Sequence, residues 1–183
     1  MDRDLVERGR QGDREAYEAL VRASAPRLYA IAYRILRDQA RSDDAVQQTL
    51  VAIWRELPRL RDPDRFDAWT YRLVARFSLG EARRERRVLE GVRYLAADES
   101  PAPDTTISIA DRDQLERAFR RLTPDHRMVV VLHHYVGLSM AEIGQALTIP
   151  VGTANSRLHY AERALRAAIE ADDRVALRPG ATA

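Results

Sequence analysis

The sequence predicts an all-α protein made of two helical domains joined by a flexible linker. Three observations carry that reading. Apolar residues recur at helical spacing through most of the chain, and no period-2 strand pattern of useful length is present. An acidic, proline-containing stretch with little to bury, AADESPAPDTTIS, separates two such periodic regions. The last helices also form a pair with a tight connection, the arrangement that sets a helix into a DNA groove.

In chain order, Gly12 and Asp13 open a helical stretch in which Tyr17, Leu20 and Val21 recur at helical spacing. A second helix is expected after Pro26, with Leu28, Ile31, Ala32, Ile35 and Leu36 as its stripe. Ser42 reads as the cap of a third helix, with Asp43 and Asp44 in the first turn, where carboxylates suit the positive helix end. Its apolar side is Val46, Leu50, Ile53, Trp54 and Leu57, so Trp54 is expected in the core, and Pro58 ends the helix. Residues 58 to 65 form an Arg-rich loop with two prolines. Phe66 to about Arg87 is one long helix running into the cluster Arg83, Arg84, Arg86 and Arg87. These elements make a first domain over residues 1 to 93.

The linker is placed at residues 94 to 112. The charge changes sign there: Arg72 to Arg93 carries seven arginines against three glutamates, whereas Tyr94 to Asp113 carries five acids against Arg112 alone. A second domain spans residues 113 to 171. Leu115, Phe119 and Leu122 start its core, Thr123 and Pro124 begin the next helix with Met128 to Leu132 buried, and Gly137 closes that helix. Residues 172 to 183 read as a frayed tail. The DNA-reading pair follows Gly137. Ser139 caps a short helix with Glu142 completing a capping box, and Ile143 and Leu147 form its buried side. Pro150 starts the second helix, whose core positions are Ala154, Leu158, Ala161 and Leu165. Its other face presents Thr153, Asn155, Ser156, Arg157, His159, Tyr160 and Arg163, hydrogen-bonding groups that suit base edges and phosphates.

Composition narrows the classes of function. The 183 residues are 45% hydrophobic, enough for real cores, and no run approaches the length of a membrane helix. A cytoplasmic location without membrane insertion is the expectation. There is no cysteine, so disulfides and thiolate metal sites are excluded. All 30 basic residues are arginine, which keeps their charge fixed and supplies planar forks for phosphate and guanine. His126, His133 and His134 do not match metal spacing, since zinc sites on helices favour i, i+4 pairs, so no metal is expected. No phosphate loop, nucleophile elbow or catalytic carboxylate pair occurs, so neither catalysis nor a cofactor is expected.

Several segments together resemble the extracytoplasmic-function sigma factors of bacteria. GDREAYEALVRASAPRLYAIAYRILRD resembles their first helices, DDAVQQTLVAIWRELPRLRD the segment that docks on the RNA polymerase clamp, and FDAWTYRLVARFSLGEARRERR the helix that meets the minus-ten element. LTPDHRMVVVLHHYVGLSMAEIGQALTIPVGTANSRLHYAERAL is similar to their minus-thirty-five reader. The resemblance implies core polymerase contact through Asp43, Asp44, Gln47, Gln48 and Trp54. It implies minus-ten contact through Arg65, Phe66, Trp69, Arg72, Arg76, Arg83, Arg84, Arg86 and Arg87, with Trp69 open to either a core or a base-capturing role. Partners would be core polymerase, promoter DNA and an anti-sigma factor. The chain departs from the family pattern where Gln48 replaces a usual acid, Arg76 a usual Asn, Gly80 a usual Asp, Asn155 a usual basic residue, and Tyr160, Ala161 and Glu162 the usual Arg-Ala-Arg ending. The alternative is a stand-alone helix-turn-helix regulator whose N-terminal bundle senses a ligand or dimerises.

Overall fold

The computed structural model describes the backbone of residues 1–95 and 110–176 and the side chains of residues 1–88 and 115–171. Every regular element among them is helical. In order they are α1 (Arg3–Arg10), α2 (Arg14–Leu36), α3 (Gln39–Glu56), α4 (Phe66–Leu95), α5 (Ala110–Arg121), α6 (Pro124–Val130), α7 (Met140–Leu147) and α8 (Val151–Ala176). Two 3-10 turns, Leu57–Arg59 and Pro63–Arg65, join α3 to α4, and a π turn, Val131–Tyr135, extends α6.

The charged N-terminus forms a helix the sequence did not announce. Asp2 caps α1 by accepting from the Asp4 N–H, and the helix packs on α2 through Val6 and Gly9. Gly9 lets α1 approach closely, since a Cβ there would lie 2.9 Å from Leu20 Cδ1 and 3.2 Å from Leu57 Cδ2, and both leucines would have to shift.

Pro26 does not divide α2, contrary to expectation. The buried stripe Leu20, Ser24, Leu28, Ile31 and Ile35 continues through it, while Pro26 itself faces solvent. Burial on both sides outweighs the roughly 3 kcal/mol that an interior proline costs. Arg37 then ends α2 in the left-handed conformation (φ 59°), and Asp38, not Ser42, caps α3 by accepting from the Arg41 N–H at 2.8 Å. Ser42 is fully buried, its hydroxyl donating to the Asp38 carbonyl at 2.5 Å. Asp43 and Asp44 therefore sit one turn inside the helix.

Trp54 also departs from expectation. The buried stripe of α3 is Ser42, Ala45, Val46, Thr49, Ala52 and Ile53, mostly small residues that let α2 and α4 come close. Trp54 falls outside it and is 51% exposed, its ring edge-on to Tyr17 at 4.6 Å. Leu115 is likewise exposed where core was expected, whereas Leu122 is buried as expected and α5 turns Ala118 inward.

Helix α4 begins at Phe66 as expected and runs to Leu95, while α8 continues to Ala176, past the point where fraying was expected. The expected linker lies mostly outside the described residues. The two halves are not held apart. Helices α6 and α7 pack on α2 and α4, and Met128, Leu132, Leu138, Ile143 and Leu147 join one apolar cluster with Leu36, Leu73 and Val74.

Asp38 offers a direct test of the shifted cap. Its carboxyl is held below the ordinary value of 3.8, first by the Arg41 N–H and then by the Arg41 guanidinium. Asp38→Ala should cost about 1 kcal/mol at pH 7 in chemical unfolding. Since a depressed carboxyl stabilises above its unfolded pKa and loses that effect as pH falls through the folded value, the gap from wild type should narrow below pH 3.8.

Candidate nucleic-acid interface

Most of the circumference of α4 is buried between α2 and α3 on one side and α6 and α7 on the other. At 3.6 residues per turn the arc left over carries Trp69, Arg72, Arg76, Gly80, Arg83 and Arg87 on one stripe. Arg84 and Arg86 flank it. Arg72 is oriented by its Nε, which donates to the Ala68 carbonyl at 3.2 Å. Arg76 lies over the Phe77 ring at 5.1 Å and faces Glu56 at 3.8 Å. Arg65, in the turn before the helix, is exposed and sits 3.5 Å from Asp62.

Phe66 corrects a sequence expectation. It is only 1% exposed, so the ring cannot itself face DNA; it backs the half-buried Trp69 at 6.0 Å between centroids. Trp69 in turn walls a cavity of about 360 Å³ together with Glu56, Arg59, Leu60 and Arg61. An apolar ring beside fixed cations suits an unstacked base and its phosphate. Arg59 and Arg61 were visible in sequence only as an Arg-rich loop, because their meeting with Trp69 depends on the two 3-10 turns that fold the loop back.

On α3, Asp43, Asp44, Gln47 and Trp54 are solvent-exposed. Beside them a groove of about 420 Å³ opens between α3 and α4, lined by Val51, Arg55 and Phe77 as well as Gln47 and Gln48. Gln48 has a structural task too: its Nε2 donates to Oε1 of the buried Glu81 at 2.8 Å. A carboxylate at position 48 would oppose Glu81, which accounts for the amide there.

The helix-turn-helix is built as its sequence predicts. Ser139 Oγ accepts from the Glu142 N–H while the Glu142 carboxylate accepts from the Ser139 N–H at 3.0 Å, and Ile143 and Leu147 are buried. Thr148 reverses the chain in the left-handed conformation (φ 55°), and the Ile149 N–H bonds to the Gly144 carbonyl at 2.9 Å. Gly144 allows this close turn, since a Cβ would lie 3.0 Å from the Ile149 carbonyl oxygen.

On α8, Ala154 and Ala161 are fully buried and Leu158 and Leu165 pack beside them, so the opposite face is outward. Asn155, Ser156, His159, Tyr160 and Arg163 are exposed, Tyr160 most among the aromatics at 58%, and Thr153 is half-buried. The Ser156 hydroxyl donates back to the Gly152 carbonyl at 2.9 Å. Arg157 is also half-buried and engaged, its Nη2 lying 3.1 Å from Asp125 at the start of α6. His134 contacts Glu162 at 2.9 Å, and His133 Nδ1 contacts the Leu138 carbonyl at 3.0 Å, so both histidines brace the motif. No cluster of potential metal ligands occurs among the described residues.

Residues 20–88 match the sigma-70 region 2 family and residues 112–165 the sigma-70 region 4 family. The chain is 34% identical to the ECF RNA polymerase sigma factor SigL of Mycobacterium tuberculosis, across 87% of this chain and 94% of SigL. This chain belongs to the extracytoplasmic-function sigma factors. It is also 31% identical to the ECF RNA polymerase sigma factor SigE of Mycolicibacterium smegmatis over 86% of its own length, and that match spans 63% of SigE. Among solved structures, CnrH in complex with the cytosolic domain of CnrY aligns at a TM-score of 0.62 and 27% identity, covering 93% of this chain and 98% of CnrH. The sigma factor RpoE bound to the anti-sigma factor NepR from Bartonella quintana aligns at 0.64 over 85% of this chain and 98% of RpoE, where 18% identity shows the fold alone.

Family membership makes the chain a promoter-directing subunit of RNA polymerase rather than a stand-alone regulator, because the N-terminal bundle matches region 2 and not a sensing domain. The Gln48–Glu81 contact gives a prediction within this sigma factor. Gln48→Glu should destabilise it by roughly 1–3 kcal/mol, as two carboxylates then share a partly buried site. The loss, read by urea unfolding at pH 7, should shrink in acid as one of the pair takes up a proton.

Proposed function

We propose that α4 and the preceding loop read the minus-ten element, that α8 reads the minus-thirty-five element, and that α3 docks on the core enzyme. The observation that carries this reading is the stripe on α4: a solvent arc that begins at a cavity walled by Trp69, Leu60, Arg59, Arg61 and Glu56 and continues for about 27 Å along a row of arginines. The cavity suits one unstacked non-template base, with Trp69 as the stacking platform and Arg59 and Arg61 at its rim. Arg72, Arg76, Arg83, Arg84, Arg86 and Arg87 then follow the phosphates.

Region 4 divides its labour by chemistry. Asn155 offers the bidentate amide that matches adenine in the major groove, and Ser156, His159 and Tyr160 share its face. Arg163 supplies charge without preference, while Arg157, held by Asp125, is a positioned contact rather than a free one. The exposed acids Asp43 and Asp44, with Gln47, Gln48 and Trp54, form the polymerase-facing surface. Residues 1–93 and 113–171 are the two functional domains, and the chain acts in the cytoplasm, contributes no catalysis of its own and is restrained by an anti-sigma factor. The described residues contain no helix long and apolar enough to cross a membrane.

The test is run-off transcription with core polymerase on promoters randomised at both elements. Asn155→Ala should relax preference at one minus-thirty-five base pair, a loss of about 1–3 kcal/mol of discrimination, whereas Arg163→Ala should weaken all promoters alike. An unchanged base profile for Asn155→Ala would mean that α8 enters the groove in another rotation. In a second measurement, Asp43→Arg combined with Asp44→Arg should reduce co-purification with core polymerase while leaving the thermal midpoint unchanged, because both side chains are exposed. Undiminished co-purification would remove α3 from the docking surface.

A further inference from the structure

Helix α1 precedes the matched region 2, which begins at residue 20, and carries none of the residues assigned to DNA or polymerase. Its contacts nevertheless reach the reading loop. Besides α2, it packs against both 3-10 turns that carry the chain from α3 to α4. The two contacts lie at opposite ends of the helix. Near its end, Gly9 comes so close to the buried Leu57 that a Cβ would lie 3.2 Å from Leu57 Cδ2. At its start, the Arg3 guanidinium donates through Nη1 to Asp64 Oδ2 at 2.5 Å. Six residues of helix span about 9 Å, so α1 is laid along the base of the loop and touches it at two points.

Between those points stand the cations that wall the cavity. Arg59 and Arg61 are exposed and meet Trp69 there. Leu57 and Pro63 are buried on either side of them, so the place of both arginines depends on how the two ends of the span are held. Apolar burial fixes the Leu57 end. The turn at the other end is set by polar bonds: Asp62 accepts from the Asp64 N–H at 3.1 Å and lies 3.5 Å from Arg65, while the Asp64 side chain is taken by Arg3. Arg65, assigned to the minus-ten strand, is thus turned outward by the same residues that turn Asp64 toward α1.

Arg3 is oriented from within its own helix. Its Nη2 lies 3.8 Å from Glu7 Oε1, one turn on, and the other Glu7 oxygen lies 3.7 Å from Arg10. An exposed ion pair of this kind adds little to stability. Arg3 and Asp64 are, however, 61 residues apart in the chain, and one of them sits in the turn that leads into the reading helix. The value of such a pair is geometric.

We infer that α1 braces the minus-ten loop: the Arg3–Asp64 pair fixes the turn Pro63–Arg65 and so the place of Arg59 and Arg61 beside Trp69, which makes Arg3 a positioning residue for base capture. This rests on the assignment of the loop and the Trp69 cavity to the minus-ten element made above.

The test uses holoenzyme assembled from core polymerase and the full-length chain, with run-off transcription on promoters randomised at the minus-ten element. Arg3→Gln and Asp64→Asn each break the pair, and each should lower the preference for the best base over the next by about threefold at the captured position, the scale of an exposed pair. The two variants change net charge in opposite directions. A role through charge alone would therefore strengthen DNA binding in one and weaken it in the other, whereas a brace requires the same loss of preference from both. The double variant should lose no more than either single one, because the two residues act as one contact. The reversed pair, Arg3→Glu with Asp64→Arg, should recover the preference, since a carboxylate also suits the first turn of α1. In all four proteins the minus-thirty-five profile and co-purification with core polymerase should stay at wild-type values, which separates a displaced loop from a general loss of fold. An unchanged minus-ten profile in Arg3→Gln and Asp64→Asn, opposite shifts in the two, or additive losses in the double variant would overturn the inference while leaving the minus-ten assignment in place. A Trp69→Ala holoenzyme with the wild-type minus-ten profile would overturn that assignment and the inference with it.

Discussion

Everything in this molecule is arranged around one helix that must bury most of its circumference. Helix α4 packs against α2 and α3 on one side and α6 and α7 on the other, with Phe66, Thr70, Leu73, Val74, Ala75, Ser78, Leu79, Glu81 and Ala82 taken out of solvent. An amphipathic helix on a protein surface keeps a broad polar face. Here packing from two directions leaves a narrow arc. Arg72, Arg76, Arg83 and Arg87 therefore share one row that is collinear with the cavity at Trp69, with Arg84 and Arg86 beside it. Geometry of burial, more than the number of charges, decides which of the basic side chains on this helix line up on one face.

Small residues set how closely the helices approach and so decide which large side chains are left outside. Ala45, Thr49 and Ala52 on α3 admit α2 and α4, and the consequence is that Trp54 and Val51 lie on the surface beside the apolar groove. Gly9 does the same for α1 against Leu20 and Leu57. Gly144 lets the Ile149 carbonyl close over α7, which fixes the crossing of α7 and α8 and thereby the direction in which the exposed face of α8 points. In each case a missing or short side chain at one position lets two segments of backbone approach closely.

The use of arginine alone gives the ionic contacts a common character. The guanidiniums of Arg27, Arg34, Arg37 and Arg76 lie over aromatic rings, at 4.1 to 5.4 Å for the closest ring of each. Planar cations of this kind tolerate partial burial better than an ammonium and do not lose their charge near neutral pH.

The all-α class, the capping box of Ser139 and Glu142, the buried stripe of α8 and the start of α4 at Phe66 were determined by the sequence alone, because each rests on local periodicity or on hydrogen bonds within one turn. The outward placement of Asn155, His159, Tyr160 and Arg163 followed from the same periodicity. Other features depended on what lies across the contact. Pro26 stays inside α2 because packing on both sides exceeds its local cost, and Asp38 displaces Ser42 as a cap because Ser42 is needed in the interior. Phe66 is buried where a DNA contact was expected, and Trp54 is exposed where core was expected, since neither pattern reports which face a neighbour will cover. The cavity shared by Arg59, Arg61 and Trp69, the Gln48–Glu81 bond, the Arg157–Asp125 pair and the Arg3–Asp64 pair join residues distant in the chain. No periodicity encodes such meetings; they arise only when separate helices are brought together by the burial of their apolar faces.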